Sequence, residues 1–292
     1  MRWLVTGSSG QLGGYLLRHL RERGEPAVAW SGTARGELFG YPLNPVDLSN
    51  PDGVAAAVRA ARPDLIVHTA AVARVDDCHR DPERARRVNT RGSELLAELA
   101  AEFGARLVFV STDLVFDGER GGYREDDPSR PLSVYGRTKA DAEAAVLAAP
   151  RGVVARFSLL FGPTLVGRPS FFDGMVAALR GGQPLTLFAD EWRTPLGAHG
   201  AARALAELAH SDVVGLLHVG GPERLSRLEM GLRLAEHLSV SPERIIATAR
   251  DAVPAAEPRP RDTSLDVTRW RGRFPALPWP AYRKALAELL PV

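Results

Sequence analysis

The sequence predicts an α/β protein, a doubly wound parallel sheet joined to a smaller, mixed α/β lobe. Three observations predict it. Short apolar runs alternate with helix-like segments through the first half of the chain. The first of these runs ends in a glycine-rich loop that opens a helix. Beyond residue 156 the alternation becomes irregular, as expected where a second lobe begins.

In order, Arg2 to Thr6 (RWLVT) reads as the first strand. Leu12, Leu16, Leu17 and Leu20 then recur at helical spacing within Leu12 to Arg23. Ala27 to Trp30 is the second strand, and Leu65 to His68 (LIVH) follows a Pro-Asp turn as another. Glu83 to Phe103 carries one long helical pattern. Leu107 to Val110 (LVFV) and Val153 to Arg156 are buried-strand runs, with an apparent helix, Val134 to Leu147, between them. In the second half Phe171 to Leu179, Ala201 to Ala209 and Leu225 to Leu238 read as helices. Leu185 to Phe188 and Leu216 to Val219 read as strands, and the Pro- and Arg-rich stretch from Ala252 to Arg261 reads as an ordered loop.

The 292 residues suffice for one large α/β domain or two modest ones, and 45% apolar with 25% charged content is ordinary for a soluble globular chain. No apolar run is long enough to span a bilayer, and no secretory pattern opens the chain, so no membrane partner and a cytoplasmic location are expected. Cys78 is the only cysteine, which excludes an intrachain disulfide and a cysteine metal cluster. It reads as a small residue packed near a helix start. A net charge of +2 gives no argument for a nucleic-acid partner, and Arg84, Arg86 and Arg87 read as a solvated helix face. His68, His79, His199 and His218 lack metal-ligand spacing, so no metal is expected.

Gly7-Ser8-Ser9-Gly10-Gln11-Leu12-Gly13 follows the first strand and opens the first helix. Glycines there let the backbone approach a pyrophosphate, and the helix N-terminus offers unpaired N–H groups to it. Dinucleotide binding is the expected function of this loop. Where an NAD site places an acid on the ribose, the chain reads Trp30-Ser31-Gly32-Thr33-Ala34-Arg35, and Arg35 suits a 2′-phosphate. NADPH is therefore expected, with NADH as the alternative. Asp47-Leu48 is positioned to approach the adenine amino group; a helix N-cap role for Asp47 or Ser49 competes with it. The expected division is a dinucleotide-binding domain of residues 1–155 with a return segment at about 196–218, and a substrate lobe of residues 156–195 and 219–292.

Of 37 Lys plus Arg residues, only Lys139 and Lys284 are lysines. Lys139 lies four residues after Tyr135, so both share a helical face. A tyrosine is a poor acid near neutrality, and a neighbouring ammonium favours its phenolate. Lys offers a compact ammonium that also reaches a ribose hydroxyl, where Arg spreads its charge over a planar fork. Thr112 ends the strand LVFV-Ser-Thr, at the end of a parallel sheet where ligands bind.

This ordered set resembles the extended short-chain dehydrogenase/reductases of the Rossmann type that act on sugar nucleotides, and within them the dTDP-4-dehydrorhamnose reductase family. The resemblance covers nearly the whole chain, through VTGSSGQLG at 5–13, VHTAAVARVDDC at 67–78, Val88-Asn89, STDLVFDG at 111–118, PLSVYGRTKADAE at 131–143 and Arg259-Pro260. It implies a reductase of a nucleotide-linked 4-keto-6-deoxy sugar. Tyr135 would donate the proton, Lys139 would lower the Tyr135 pKa and hold the nicotinamide ribose, and Thr112 would orient the carbonyl. It implies cofactor contacts at Gly7, Gly10, Gln11, Leu12, Gly13, Ala70 and Ala71, substrate contacts at Asp113, Leu159 and Arg259, a supporting role for Asn89, and a homodimer. Trp192 and Arg193 are candidates for the nucleotide diphosphate or base; the competing reading packs Trp192 between the lobes.

Three positions depart from the family. Leu114 stands where Tyr is usual, Leu159 where Trp is usual, and Arg193 where Gly is usual. They leave the identity of the sugar open. An epimerase or dehydratase of the same superfamily, and a non-catalytic NADP-binding regulatory subunit such as that of methionine adenosyltransferase, stay as alternatives.

Overall fold

Trp3 and Val5 pack on one face of the first strand and Leu4 on the other, and all three are buried. Leu65, Ile66 and Val67 divide in the same way, as do Val153, Val154 and Ala155. A two-residue period with both faces apolar requires cover on each side. The computed structural model, which describes residues 1–291, supplies that cover as two helical layers.

The chain opens with β1 (Trp3–Thr6), α1 (Gln11–Glu22), β2 (Ala27–Ser31), β3 (Glu37–Leu38), β4 (Tyr41–Pro45), α2 (Pro51–Ala61) and β5 (Leu65–His68). There follow α3 (Val75–Arg80), α4 (Pro82–Ala85), α5 (Gly92–Glu102), β6 (Arg106–Thr112), α6 (Val134–Ala148) and β7 (Gly152–Phe157). The remainder holds β8 (Leu160–Phe161), α7 (Phe171–Arg180), β9 (Leu185–Phe188), β10 (Trp192–Arg193), β11 (Leu196–Gly197), α8 (Ala198–His210) and β12 (Gly215–Val219). It closes with β13 (Leu225–Ser226), α9 (Arg227–His237), β14 (Ile245–Thr248), α10 (Thr268–Arg273) and α11 (Tyr282–Leu289).

Eight strands form one sheet in the order β12-β7-β6-β5-β1-β2-β4-β3, parallel throughout except for the antiparallel β3–β4 pair. Leu12, Leu16, Leu17 and Leu20 of α1 and Ala201, Leu205 and Leu208 of α8 cover one face. Val54 and Val58 of α2, Leu96 and Leu99 of α5, and Ala142 and Val146 of α6 cover the other. This is a doubly wound, Rossmann-type sheet, as the sequence predicts. The strand order reverses between β1 and β5, and such a switch point opens a crevice at the carboxyl ends of the strands. A separate apolar cluster gathers Phe161, Phe172, Met175, Leu187, Met230, Leu234 and Tyr282 around α7, α9 and α11.

The Glu83–Phe103 pattern is not one α-helix: Arg86–Arg91 forms a wider π turn between α4 and α5. Leu225–Leu238 divides too, because Ser226 and Glu229 make a reciprocal capping box that starts α9 at Arg227. Neither Asp47 nor Ser49 caps α2; Asn50 does, accepting from the Gly53 N–H at 3.1 Å. The elements β3, β4, β8, β10, β11, β14, α10 and α11 were not anticipated by the periodicity. Among the described residues no helix is long and apolar enough to cross a membrane.

Candidate active site

The loops after β1 and β5 meet at the switch point. Gly7 adopts φ +69°, and a Cβ there would lie 2.6 Å from the Ala70 nitrogen. A Cβ on Gly13 would lie 2.2 Å from the Gly7 carbonyl oxygen. Both glycines are therefore required by the tight turn that brings the first turn of α1 against β5. Gly10 begins α1 without a side-chain cap. The N–H groups of Gln11, Leu12 and Gly13 thus head the helix with no side chain in front of them, which fits a pyrophosphate. The Gln11 amide instead donates to the Gly162 carbonyl at 3.1 Å, and Leu12 is buried in the core.

Arg35 is exposed in the loop after β2, with no ion pair among the described residues. Asp47 is exposed and accepts from the Ser49 N–H at 2.9 Å and its hydroxyl at 2.7 Å, bonds that lower its pKa. Leu48 is buried beneath α5, where a Cβ on Gly92 would meet its carbonyl oxygen at 3.1 Å. Ala70, against Gly7, and Ala71 after it are half-buried.

On the other side of β5, Ser133 caps α6 by accepting from the Gly136 N–H at 3.0 Å. A Cβ on Gly136 would lie 2.2 Å from the Leu114 carbonyl oxygen, so glycine there lets the turn after β6 press against the helix. That contact brings Thr112 beside Tyr135. The π turn serves the same wall. Asn89 accepts from the Val72 N–H at 2.7 Å and donates to the Thr138 hydroxyl at 3.1 Å, tying the loop after β5 to α6.

Lys139 lies one turn below Tyr135 and is 2% exposed. Its ammonium sits over the Phe109 ring at 3.8 Å from the centroid. Burial pulls its pKa down to about 7, against the pull of Glu143 one turn further along. Glu143 is itself held by Arg156 (Nε to Oε1 2.9 Å) and by the Ser111 hydroxyl.

The Tyr135 pKa is displaced opposite to expectation. Burial raises it first, then the charge of Asp113, while the Thr112 hydroxyl pulls it down and Lys139 is not among the groups that shift it. Tyr135 is therefore held as a protonated phenol, the form a proton donor needs.

A cleft of about 650 Å³ opens beside this wall. Of the expected substrate contacts, Asp113, Leu159, Arg193 and Arg259 line it, together with Leu114 and Glu257. Asp113 is buried and accepts from Thr112 at 3.2 Å, Ser158 at 3.1 Å and Thr263 at 3.0 Å, with the Arg193 Nε 3.6 Å away. Burial nevertheless raises its pKa. The Arg193 guanidinium is occupied within the protein, by Glu191 at 3.2 Å and the carbonyls of Trp192 and Pro260. Arg259 donates to the carbonyls of Arg250 and Pro254 and lies over Phe188. Trp192 is not part of this lining. Successive strand residues point oppositely, so Arg193 faces Asp113 and the Trp192 ring turns away beneath Arg224, 4.6 Å from its centroid. Its backbone instead bridges β13 and Asp262.

Sequence reasoning missed Glu257, whose carboxylate accepts from the Val134 N–H at 2.8 Å at the start of α6. It also missed the buried Glu143–Arg156 pair and the Arg227–Glu191 pair at 2.9 Å beside the cleft. Glutamates at 143 and 257 carry no local pattern that marks them.

The family model described as the RmlD substrate binding domain matches residues 1–291. A probable dTDP-4,6-dihydroxy-2-methyloxan-3-one 4-ketoreductase of Streptomyces antibioticus is 36% identical, over 100% of this chain and 95% of its own. A dTDP-4-dehydrorhamnose reductase of Streptomyces griseus is 35% identical over 99% and 93%. Methionine adenosyltransferase 2 subunit beta of Pongo abelii is 30% identical over 92% and 81%. The crystal structure of a hypothetical dTDP-4-dehydrorhamnose reductase from Sulfolobus tokodaii superposes with a TM-score of 0.82, at 31% identity over 93% of this chain and 94% of that one. With the glycine loop, the Tyr135–Lys139 helix and the cleft at the carboxyl ends of the central strands, and a family model that spans residues 1–291, the chain belongs to the RmlD substrate-binding-domain family.

Proposed function

We propose that the protein is an NADPH-dependent reductase of a nucleotide-linked 4-keto-6-deoxy sugar. The observation that carries the reading is the convergence of Thr112, Tyr135 and Lys139 at the end of β6 and the start of α6, next to a cleft and with only β5 between β6 and the strand that leads into the glycine loop. NADPH, when bound, supplies the hydride that reduces the carbonyl carbon. The N–H groups of Gln11, Leu12 and Gly13 hold its pyrophosphate, Arg35 its 2′-phosphate, and Lys139 its ribose.

Tyr135 gives its proton to the carbonyl oxygen. Thr112 orients that oxygen by turning its O–H away from Asp113. Lys139 acts after the transfer, when its ammonium stands one helical turn from the phenolate that remains. The dinucleotide then lies on residues 1–155 with the 196–218 return segment, and the sugar nucleotide on residues 156–195 and 219–292. Arg259 and Arg227, on the cleft wall, are placed to meet its diphosphate.

The Pongo abelii relative, a subunit named beta, supports the second reading of a regulatory cofactor-binding subunit. One assay separates them. The purified chain with NADPH and a dTDP-linked 4-keto-6-deoxy sugar should oxidise the cofactor in proportion to sugar reduced. Tight NADPH binding with no turnover of any keto sugar nucleotide would instead support the regulatory reading.

A further inference from the structure

Asp113 lines the cleft, yet its side chain is only 6% exposed and four protein groups engage it. Oδ2 accepts from Ser158 and Thr263, with the Arg193 Nε 3.6 Å away. Oδ1 accepts from Thr112, whose oxygen in turn accepts from the Leu114 N–H at 3.2 Å. The Ser158 oxygen already accepts from the Thr194 N–H at 3.1 Å, so its proton is committed to Asp113. Arg193, 4% exposed on β10, is the only cation paired with this carboxylate among the described residues. Glu191 is placed differently, because it holds both Arg193 at 3.2 Å and Arg227 at 2.9 Å. Removing the Arg193 charge would thus leave Glu191 paired and Asp113 without a cation.

The Thr112 proton has two claimants. Asp113 takes it in the free protein, and the carbonyl oxygen needs it during the reduction. A buried carboxylate without a cation holds its donors tightly, since nothing else offsets its charge. It also opposes the negative charge that hydride transfer places on the carbonyl oxygen. A guanidinium beside Oδ2 relieves both. We propose that Arg193 is a positioning residue for the reduction: by pairing with Asp113 it frees the Thr112 hydroxyl to turn from that carboxylate to the substrate carbonyl. This rests on the reductase reading of the same site. Two charged or titratable groups face Asp113, Arg193 from β10 and Tyr135 from α6, while Glu191, Arg227 and Asp262 stand around Arg193.

The test is kcat with NADPH and a dTDP-linked 4-keto-6-deoxy sugar for Arg193→Met, alone and combined with Asp113→Asn. Without the arginine, burial takes the Asp113 pKa further up, so at low pH the carboxylate gains a proton and releases Thr112. The loss in kcat should be roughly 10-fold or more at about pH 8 and shrink toward about pH 6, with the KM for NADPH unchanged. Added to Asp113→Asn, which has no charge to offset, the same substitution should cost far less and show no such pH dependence. Arg193→Lys returns a cation without the fork that bonds the Trp192 and Pro260 carbonyls, and should regain most of the lost kcat. If the methionine variant fails to fold, Arg193→Lys decides alone: a kcat within about 3-fold of the wild type supports the pairing, and a larger loss overturns it. A loss that is the same at every pH, with and without Asp113→Asn, would make Arg193 merely structural and overturn the proposal, the wild type still being a reductase. A wild type that reduces no keto sugar nucleotide overturns the reductase reading and the proposal together.

Discussion

Lys139→Met should stabilise the cofactor-free protein while ending catalysis. Lys139 is 2% exposed, and its pKa falls from 10.5 to about 7 because burial disfavours the ammonium. The unfolded chain holds the proton more tightly than the folded one. Folding stability therefore rises with pH between about 7 and 10.5, and the full cost of the buried charge is felt below that window. A displacement of this size corresponds to about 5 kcal/mol. Methionine keeps most of the volume and removes the charge. It also forfeits the contact of the ammonium with the Phe109 ring, worth about 2 kcal/mol when desolvated. No charge is orphaned, because Glu143 remains bonded to Arg156 and Ser111. A net gain of about 3 kcal/mol is expected near neutral pH, or roughly 6 °C in Tm for a chain of this size. Thermal unfolding without cofactor, at about pH 7 and about pH 10, should show a gain that shrinks at the higher pH. A variant less stable than the wild type at both pH values, or a gain that does not change with pH, would refute the buried-charge reasoning.

Other consequences are smaller or more local. Arg35→Ala should raise the KM for NADPH by about 10-fold and leave NADH unchanged, as expected for loss of a charged hydrogen bond to a 2′-phosphate; an intact NADPH preference removes Arg35 from that role. Gly13→Ala places a Cβ 2.2 Å from the Gly7 oxygen, so NADPH binding measured by fluorescence titration should weaken by at least about 10-fold. Glu143→Gln leaves the Arg156 guanidinium buried with its charge uncompensated, and denaturant unfolding should report a loss of about 3 kcal/mol. Lys139→Arg should lower kcat strongly, since a planar fork replaces the compact ammonium over Phe109.

What was legible in the sequence was local. LIVH at 65–68 is a strand in sequence and in structure because its run is apolar on both faces. Tyr135 and Lys139 lie on one helix, so a spacing of four reveals their shared face. The α2 helix was read only as something Asp47 or Ser49 could cap, although Asn50 and Pro51 mark its start, since its alanine-rich face gives little apolar contrast. The YPLNP strand β4 carries two prolines and survives because only β3, two residues long, pairs on its outer side. The surroundings of Asp113 were not legible at all. Its partners Ser158 and Thr263 lie 45 and 150 residues away, and only the folded chain brings them together. The same distance hid Glu257, 123 residues beyond the Val134 N–H it accepts from. The direction of the Tyr135 shift was misjudged for a related reason. Helical spacing announces Lys139, but burial and Asp113, brought in by tertiary packing, dominate the phenol.

Tyr135→Phe tests the proposed chemistry most directly. It removes one hydroxyl and leaves the ring, the Ser133 cap and Lys139 in place. With a dTDP-linked 4-keto-6-deoxy sugar, the variant should bind NADPH as the wild type does and lose roughly 100-fold or more in kcat, the usual worth of a positioned proton donor. A kcat close to that of the wild type would contradict the assignment of Tyr135 as the acid.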